Sequence, residues 1–161
     1  MGQGAAKELD KNPSKARVSV PVTPEVLQEI DNRARRLSVS RSTLMARLLQ
    51  YGLEAEQHEL NQRSARFQTL RSQWHVERGA SSSIEEMCTR PAYLSIIAMG
   101  PEALPLIIEQ LRSEGDNPDH WFVALHHITK RIDPVPDEDK GDMSRMSKAW
   151  LDWAEREIDA G

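Results

Sequence analysis

The sequence predicts a mainly helical protein in which one short strand and two helices precede a small all-α domain. Strict apolar alternation at residues 17–22 predicts the strand, apolar residues at helical spacing predict the helices, and prolines and glycines divide the later chain into short pieces. We therefore expect a flexible basic arm at 1–15, a strand-helix-helix domain at 16–56, a helical connector at 57–78 and an all-α domain at 83–158.

The predicted strand has two chemically different faces. The inner face carries Val18, Val20 and Val22, and the outer face carries Arg17, Ser19 and Pro21. A single strand leaves its backbone donors and acceptors unpaired, so we expect it to pair with the same strand of a second chain. The sequence thus predicts a homodimer.

Two amphipathic helices follow the strand. Thr23-Pro24-Glu25 is typical of a helix start, and Ser40 is the expected N-cap of the second helix. Apolar residues then recur at helical spacing in both helices. The residues expected to form the dimer core are Val18, Val20, Val22, Ile30, Leu44 and Leu48.

Residues 17–54, with the sequence RVSVPVTPEVLQEIDNRARRLSVSRSTLMARLLQYGLE, resemble the ribbon-helix-helix family of the Arc, MetJ and CopG repressors. The resemblance implies an intertwined dimer whose outward strand residues, at positions 17, 19 and 21, read DNA bases in the major groove. It also implies that the start of the second helix binds a phosphate. The expected phosphate contacts are Ser40, Arg41 and Ser42, with Lys15 from the arm.

The chain departs from this family at two positions. Pro21 stands where the family usually has a polar or basic base-reading residue, and proline offers no side-chain hydrogen bond to a base. Ser38 stands in the inter-helix turn where glycine is frequent, so it must adopt a left-handed conformation or another turn. We therefore expect a reduced base-reading surface.

Charge is distributed unevenly along the chain. Residues 1–52 contain nine Lys and Arg against five Asp and Glu, a formal charge of +4. Because the whole chain carries −4, residues 53–161 carry −8. A basic head on an acidic body indicates that only the head meets a polyanion such as double-stranded DNA.

The C-terminal part is predicted to consist of short helices. One begins at a Ser83-Ile84-Glu85-Glu86 capping box, another is expected over 101–112, and another over 118–131. Residues 92–131 resemble a HEAT-type helical pair, through the Gly100-Pro101-Glu102-Ala103-Leu104-Pro105-Leu106 signature. Three of the four tryptophans, Trp121, Trp150 and Trp153, lie in the predicted all-α domain at 83–158. We expect all four, including Trp74, in the core of that domain. The alternative is an aromatic surface for a partner protein bound through residues 83–158.

Catalytic and metal motifs are not found. His120, His126 and His127 lack the spacing of a zinc site, and no nucleophile-histidine-acid or phosphate-loop motif occurs, so we expect no enzyme activity, metal or cofactor. One cysteine and the lack of a long apolar run predict a cytoplasmic protein without membrane contact. The expected function is a homodimeric, sequence-specific transcriptional regulator, most simply a repressor. The alternatives are an antitoxin and a phage or plasmid DNA-packaging or partition protein.

Overall fold

The computed structural model describes residues 20–130 and 132–157, and its regular secondary structure in those ranges is helical. The α-helices are α1 (Pro24–Leu37), α2 (Arg41–Arg78), α3 (Ile84–Cys88), α4 (Pro91–Ala98), α5 (Leu104–Glu114), α6 (Phe122–Ile128) and α7 (Met143–Glu157), with 3-10 turns at Gly100–Ala103 and Asp137–Asp139. The chain forms two compact units, Met1–Gly52 and Leu53–Gly161, here called the first and second unit. Their boundary falls within α2.

The predicted strand is not observed. Residues 20–22 have no regular secondary structure, and the described residues contain no β-strand. The prediction of a ribbon-helix-helix fold, with one strand and two helices in an intertwined dimer, is therefore wrong. Apolar alternation can place side chains on one face, but a strand also requires a paired neighbour for its backbone, and no described segment pairs with residues 20–22. Val20, expected in the dimer core, is 60% exposed, and Val22 is half-buried.

Helix α1 begins where the sequence predicts. Thr23 is its N-cap and has extended backbone angles, and proline follows at the first helical position. The helix ends at Ser38, which is left-handed with φ 53° and ψ 40°. The amide of Ser38 donates to the carbonyl of Arg35, and the amide of Val39 donates to that of Ala34. These two bonds form a Schellman turn, in which Ser38 adopts the left-handed conformation that glycine usually adopts.

Helix α2 is long and continuous because no proline interrupts residues 41–78. Its apolar residues at heptad-like spacing have different environments. Phe67 and Trp74 are fully buried in the second unit, whereas Leu53 and Leu60 are exposed. The same sequence pattern therefore supplies a core only in the last part of the helix, where other helices of the second unit pack against it.

The second unit has an aromatic core. Trp74, Tyr93, Trp121 and Trp150 are buried, and the rings of Trp74 and Trp121 have centroids 5.0 Å apart. The prediction of a tryptophan core is confirmed for three of the four indoles, while Trp153 is half-buried against it. Such a core excludes water from the polar groups that cross it, and each of them needs a partner.

The polar groups of Trp74 and Tyr93 have such partners. The Trp74 indole donates to the carbonyl of Met87 at 2.8 Å. The Tyr93 hydroxyl donates to the carbonyl of His120 at 2.6 Å and accepts from the amide of Ala124 at 3.0 Å. Burial raises the pKa of Tyr93 well above its ordinary value, so its proton stays available for this bridge. Burial also raises the pKa of the Cys88 thiol.

The short helices differ in their bounds from the sequence prediction. The segment expected as one helix from Pro101 to Arg112 begins as a 3-10 turn and becomes α5 only at Leu104. The segment expected as a helix over 118–131 is helical only over Phe122–Ile128. Ser83 caps α3 by accepting from the Glu86 amide, as the capping-box pattern predicts. The Glu86 carboxylate, however, accepts from the Ser81 hydroxyl instead of the Ser83 amide.

Candidate nucleic-acid interface

The start of α2 brings the predicted phosphate contacts together. Ser40 lies immediately before the helix, and its hydroxyl oxygen accepts from the Thr43 amide at 3.1 Å. The same oxygen lies 2.9 Å from the Ser42 hydroxyl and 2.7 Å from the Thr43 hydroxyl. The expected N-cap is therefore confirmed, and three hydroxyls surround the exposed helix start. The first amides of an α-helix have no intrahelical acceptor and carry the positive end of its dipole.

Arg41 has a partner that the sequence analysis did not identify. Its Nε and Nη2 each lie 2.5 Å from one carboxylate oxygen of Asp31, ten residues earlier in α1. This hydrogen bond lowers the pKa of Asp31 and raises that of Arg41. Both side chains are reached by solvent, so the pair is weak and exchangeable. An anion bound at the start of α2 would therefore compete with Asp31 for Arg41.

The remaining arginines of the first unit differ in whether they are paired. Arg35 donates to the Asn32 side chain at 2.6 Å, and Arg36 lies 3.4 Å from Glu29. Among the described residues, Arg33 on α1 and Arg47 on α2 have no side-chain partner. These two side chains are thus available to an external anion without breaking an existing contact.

The apolar faces of the first unit are mostly exposed. Its own core consists of Ile30, Ala34 and Leu44, with Val39 and Met45 packed beside them. The apolar stripes continue beyond this core on both helices, and the exposed members are Val26, Leu37, Leu48, Leu49 and Tyr51. Of the predicted dimer core, Ile30 and Leu44 are buried within one chain, whereas Leu48 is 40% exposed. Val18 lies outside the described residues.

The predicted base-reading residues are only partly described. Pro21 is exposed in the segment before α1. Arg17, Ser19 and Lys15 lie outside the described residues, so their assignment as DNA contacts stays a prediction.

The second unit contains a polar network that the sequence analysis missed. Asp119 accepts from both terminal nitrogens of Arg78, and the Arg78 guanidinium lies 4.6 Å from the centre of the Trp74 ring. His75 Nε2 lies 2.8 Å from the same carboxylate, although without hydrogen-bond alignment. The i, i+3 spacing of His75 and Arg78 was visible in the sequence, but Asp119 lies 41 residues beyond Arg78. Only folding brings them together.

No family model, curated protein or solved structure matches this chain. In the described ranges, no cluster of three or more His, Cys, Asp or Glu side chains is arranged to hold a metal ion. Within those ranges no single helix has the length and apolar composition to cross a membrane, and Pro91–Ala98 with Gly100–Glu114 passes that test only as a pair bent by 106°.

Proposed function

We propose that this protein is a homodimeric, sequence-specific DNA-binding protein that acts as a transcriptional regulator, most simply as a repressor. The proposal depends most on the start of α2, where Ser40, Ser42 and Thr43 present hydroxyls beside the Arg41 guanidinium. Hydroxyls, helix amides and a guanidinium are the groups that bind a DNA phosphate. Phosphate contacts orient a protein on DNA, and Arg17 and Ser19, ahead of α1, stay our candidates for contacting bases.

The charge distribution supports DNA as the ligand. The first unit has a formal charge of +4, whereas the remaining chain has −8. Binding a polyanion through the second unit is therefore electrostatically unfavourable, while Arg33 and Arg47 offer unpaired cations in the first. Each cation that reaches a phosphate releases counterions, and affinity should fall steeply with salt.

The exposed apolar stripes support dimerisation. Two helices with a core of Ile30, Ala34 and Leu44 bury too little apolar surface to be stable alone. Leu48 and Tyr51 extend the stripe that begins at the buried Leu44, at i+4 and i+7 spacing. A second copy is the partner we propose, because a two-fold contact covers the same open face on both chains. A dimer also presents two α2 starts to two half-sites on DNA.

The test is selection of bound duplexes from a random-sequence pool, followed by fluorescence-anisotropy titration of a selected duplex and its shuffled version. We expect the selected duplex to bind at least about 100-fold tighter at the same salt concentration. Arg17→Ala should reduce this preference. Ser42→Ala and Arg47→Ala should weaken both duplexes about equally, because a phosphate contact carries no sequence information.

Arg156→Ala, on α7 of the acidic second unit, is the matched control and should bind like the wild type. Equal affinity for both duplexes, with no loss in Arg17→Ala, contradicts sequence-specific regulation. Light scattering of the same samples distinguishes a discrete dimer on DNA from the filaments or rings expected of a packaging or partition protein.

A further inference from the structure

The second unit has a polar cavity that the proposed function does not use. Its volume is about 680 Å³, within the range of small-molecule sites. Arg71 and Arg78 of α2 line it together with the 79–82 loop, Glu114 and Asn117. Met87 and Met143 add apolar wall. This open cavity, with both charged and apolar lining, has room for a small metabolite.

The carboxylates at this cavity are already satisfied by the protein. Glu114 accepts from the Trp121 indole at 3.0 Å, from the Asp119 amide at 2.8 Å and from the Gln110 side chain at 2.8 Å. Asp119 is held by both terminal nitrogens of Arg78. Because Asp119 is paired with Arg78 and Glu114 accepts hydrogen bonds from three donors, these carboxylates offer few free acceptor positions to a ligand.

Several donors at the cavity have no partner. Arg71 Nε is buried and unpaired, and the terminal nitrogen of the same side chain lies 3.6 Å from Glu114, beyond hydrogen-bond distance. The side chains of Ser82, Asn117 and His120 also line the cavity, and no partner for them occurs in the described chain. The Nε atom itself is closed to solvent, but the Arg71 side chain is 28% exposed and its terminal nitrogens make no hydrogen bond in the described chain. An incoming acceptor would therefore satisfy the terminal nitrogens of this guanidinium.

We propose that this cavity binds a small oxyanion, namely a carboxylate- or phosphate-bearing metabolite. The surplus of free donors over free acceptors selects an acceptor-rich ligand, and Arg71 supplies the charge-assisted bond. Ser82 and Asn117 bind the ligand from the loops on either side. This site is separate from the start of α2, and ligand binding to it does not depend on DNA binding.

The test is isothermal titration calorimetry of the full chain with inorganic phosphate and, separately, with citrate, at constant ionic strength set with sodium chloride. We expect saturable binding of at least one probe with one site per chain. The indole N–H resonance of Trp121 should shift on binding, because this group donates to Glu114 beside the cavity. The indole resonance of Trp150, which does not line this cavity, serves as the internal reference.

Arg71→Met should weaken binding of the probe at least about tenfold. Because this change also removes a cation from Glu114, the double variant Ser82→Ala/Asn117→Ala provides a second test at exposed positions, with an expected loss of about three- to tenfold. Arg66→Met replaces an exposed arginine of the same helix outside the cavity and should bind like the wild type.

The proposal is overturned if neither probe binds saturably. It is also overturned if Arg71→Met and the double variant both bind like the wild type, or if Arg66→Met weakens binding as much as Arg71→Met does. A protein that fails to select DNA but binds phosphate through Arg71 would refute the proposed function and leave this site intact.

Discussion

The two units of this chain obtain their cores in different ways. In the second unit, Trp74, Tyr93, Trp121 and Trp150 are buried, and the polar atoms of the first three are hydrogen-bonded within the chain. In the first unit, Ile30, Ala34 and Leu44 are the buried apolar residues, and the apolar stripes around them stay exposed. A similar amphipathic pattern therefore fills a core within one chain in the second unit and leaves most of its apolar residues exposed in the first.

The largest expected effect is in the second unit. Trp74→Ala removes a fully buried indole that contacts Tyr93 and Trp121 and should destabilise the unit by about 3–5 kcal/mol. Thermal unfolding followed by near-ultraviolet circular dichroism measures this loss. Trp153→Ala, at a half-buried position on α7, is the control and should have a clearly smaller effect. Equal losses for both would show that the indole core does not dominate stability.

The next effect concerns the first unit and its association. Leu48→Asp places a charge on a side chain that is 40% exposed in one chain, so a monomer should tolerate it. In a dimer that buries this position, the charge should weaken association by roughly 100-fold. Sedimentation equilibrium of the full chain measures the dissociation constant.

The matched control is Leu60→Asp, an exposed leucine of α2 in the second unit. It should leave association unchanged if the interface lies on the first unit. Dissociation in Leu60→Asp but not in Leu48→Asp would place the contact elsewhere on α2.

A smaller effect is expected from a glycine substitution in each unit, which should stabilise that unit without stabilising the other. Each unit has one non-glycine residue in the left-handed region among those described, Ser38 with φ 53° and Lys130 with φ 58°. Ser38→Gly and Lys130→Gly should each stabilise their own unit by about 0.5–1 kcal/mol, because glycine adopts this conformation without a Cβ clash. Hydrogen exchange should slow in α1 for the first variant and in α6 for the second. Slowing in both helices for either variant would show that the units unfold together.

The smallest expected effect is electrostatic. Hydrogen bonds from Arg41 and Lys140 lower the pKa of Asp31 and Asp137, respectively. Arg41→Ala should raise the pKa of Asp31 toward its ordinary value and leave Asp137 unchanged, as carboxyl carbon NMR titration can measure. Because the pKa is lowered in the folded state, the stabilisation by the pair is present above the unfolded-state pKa and is lost as the pH falls through the folded-state pKa.

DNA binding should change the pKa of Asp31, the partner of Arg41, and leave that of Asp137, the partner of Lys140, unchanged. A phosphate that takes Arg41 from Asp31 should raise the pKa of Asp31, whereas Asp137, paired only three residues from Lys140, should not respond. If the pKa of Asp31 is unchanged in a DNA complex, Arg41 does not contact a DNA phosphate.

Local signals explain why much of the helical fold could be predicted. Ser40 and Ser83 mark helix starts through side-chain caps formed within three residues, and Pro24 marks the first position of α1. The left-handed Ser38 ends α1. The strand prediction failed because alternation sets side-chain direction without supplying a hydrogen-bonding partner for the backbone. Of the candidate site, the cluster at the start of α2 could be predicted because its residues are adjacent in sequence.

By itself, the sequence determined the starts of α1, α2 and α3, the apolar stripes and the uneven charge, because each depends on residue type and short spacing. Tertiary structure alone decided the partners of Arg41 and Arg78. Arg41 pairs with Asp31 of another helix, and Arg78 pairs with Asp119, which lies 41 residues later. These pairings follow from how the helices pack, and packing also leaves Arg71 Nε beside an open cavity without an acceptor. A group's partner depends on the distance between atoms in the folded chain, which local spacing does not encode.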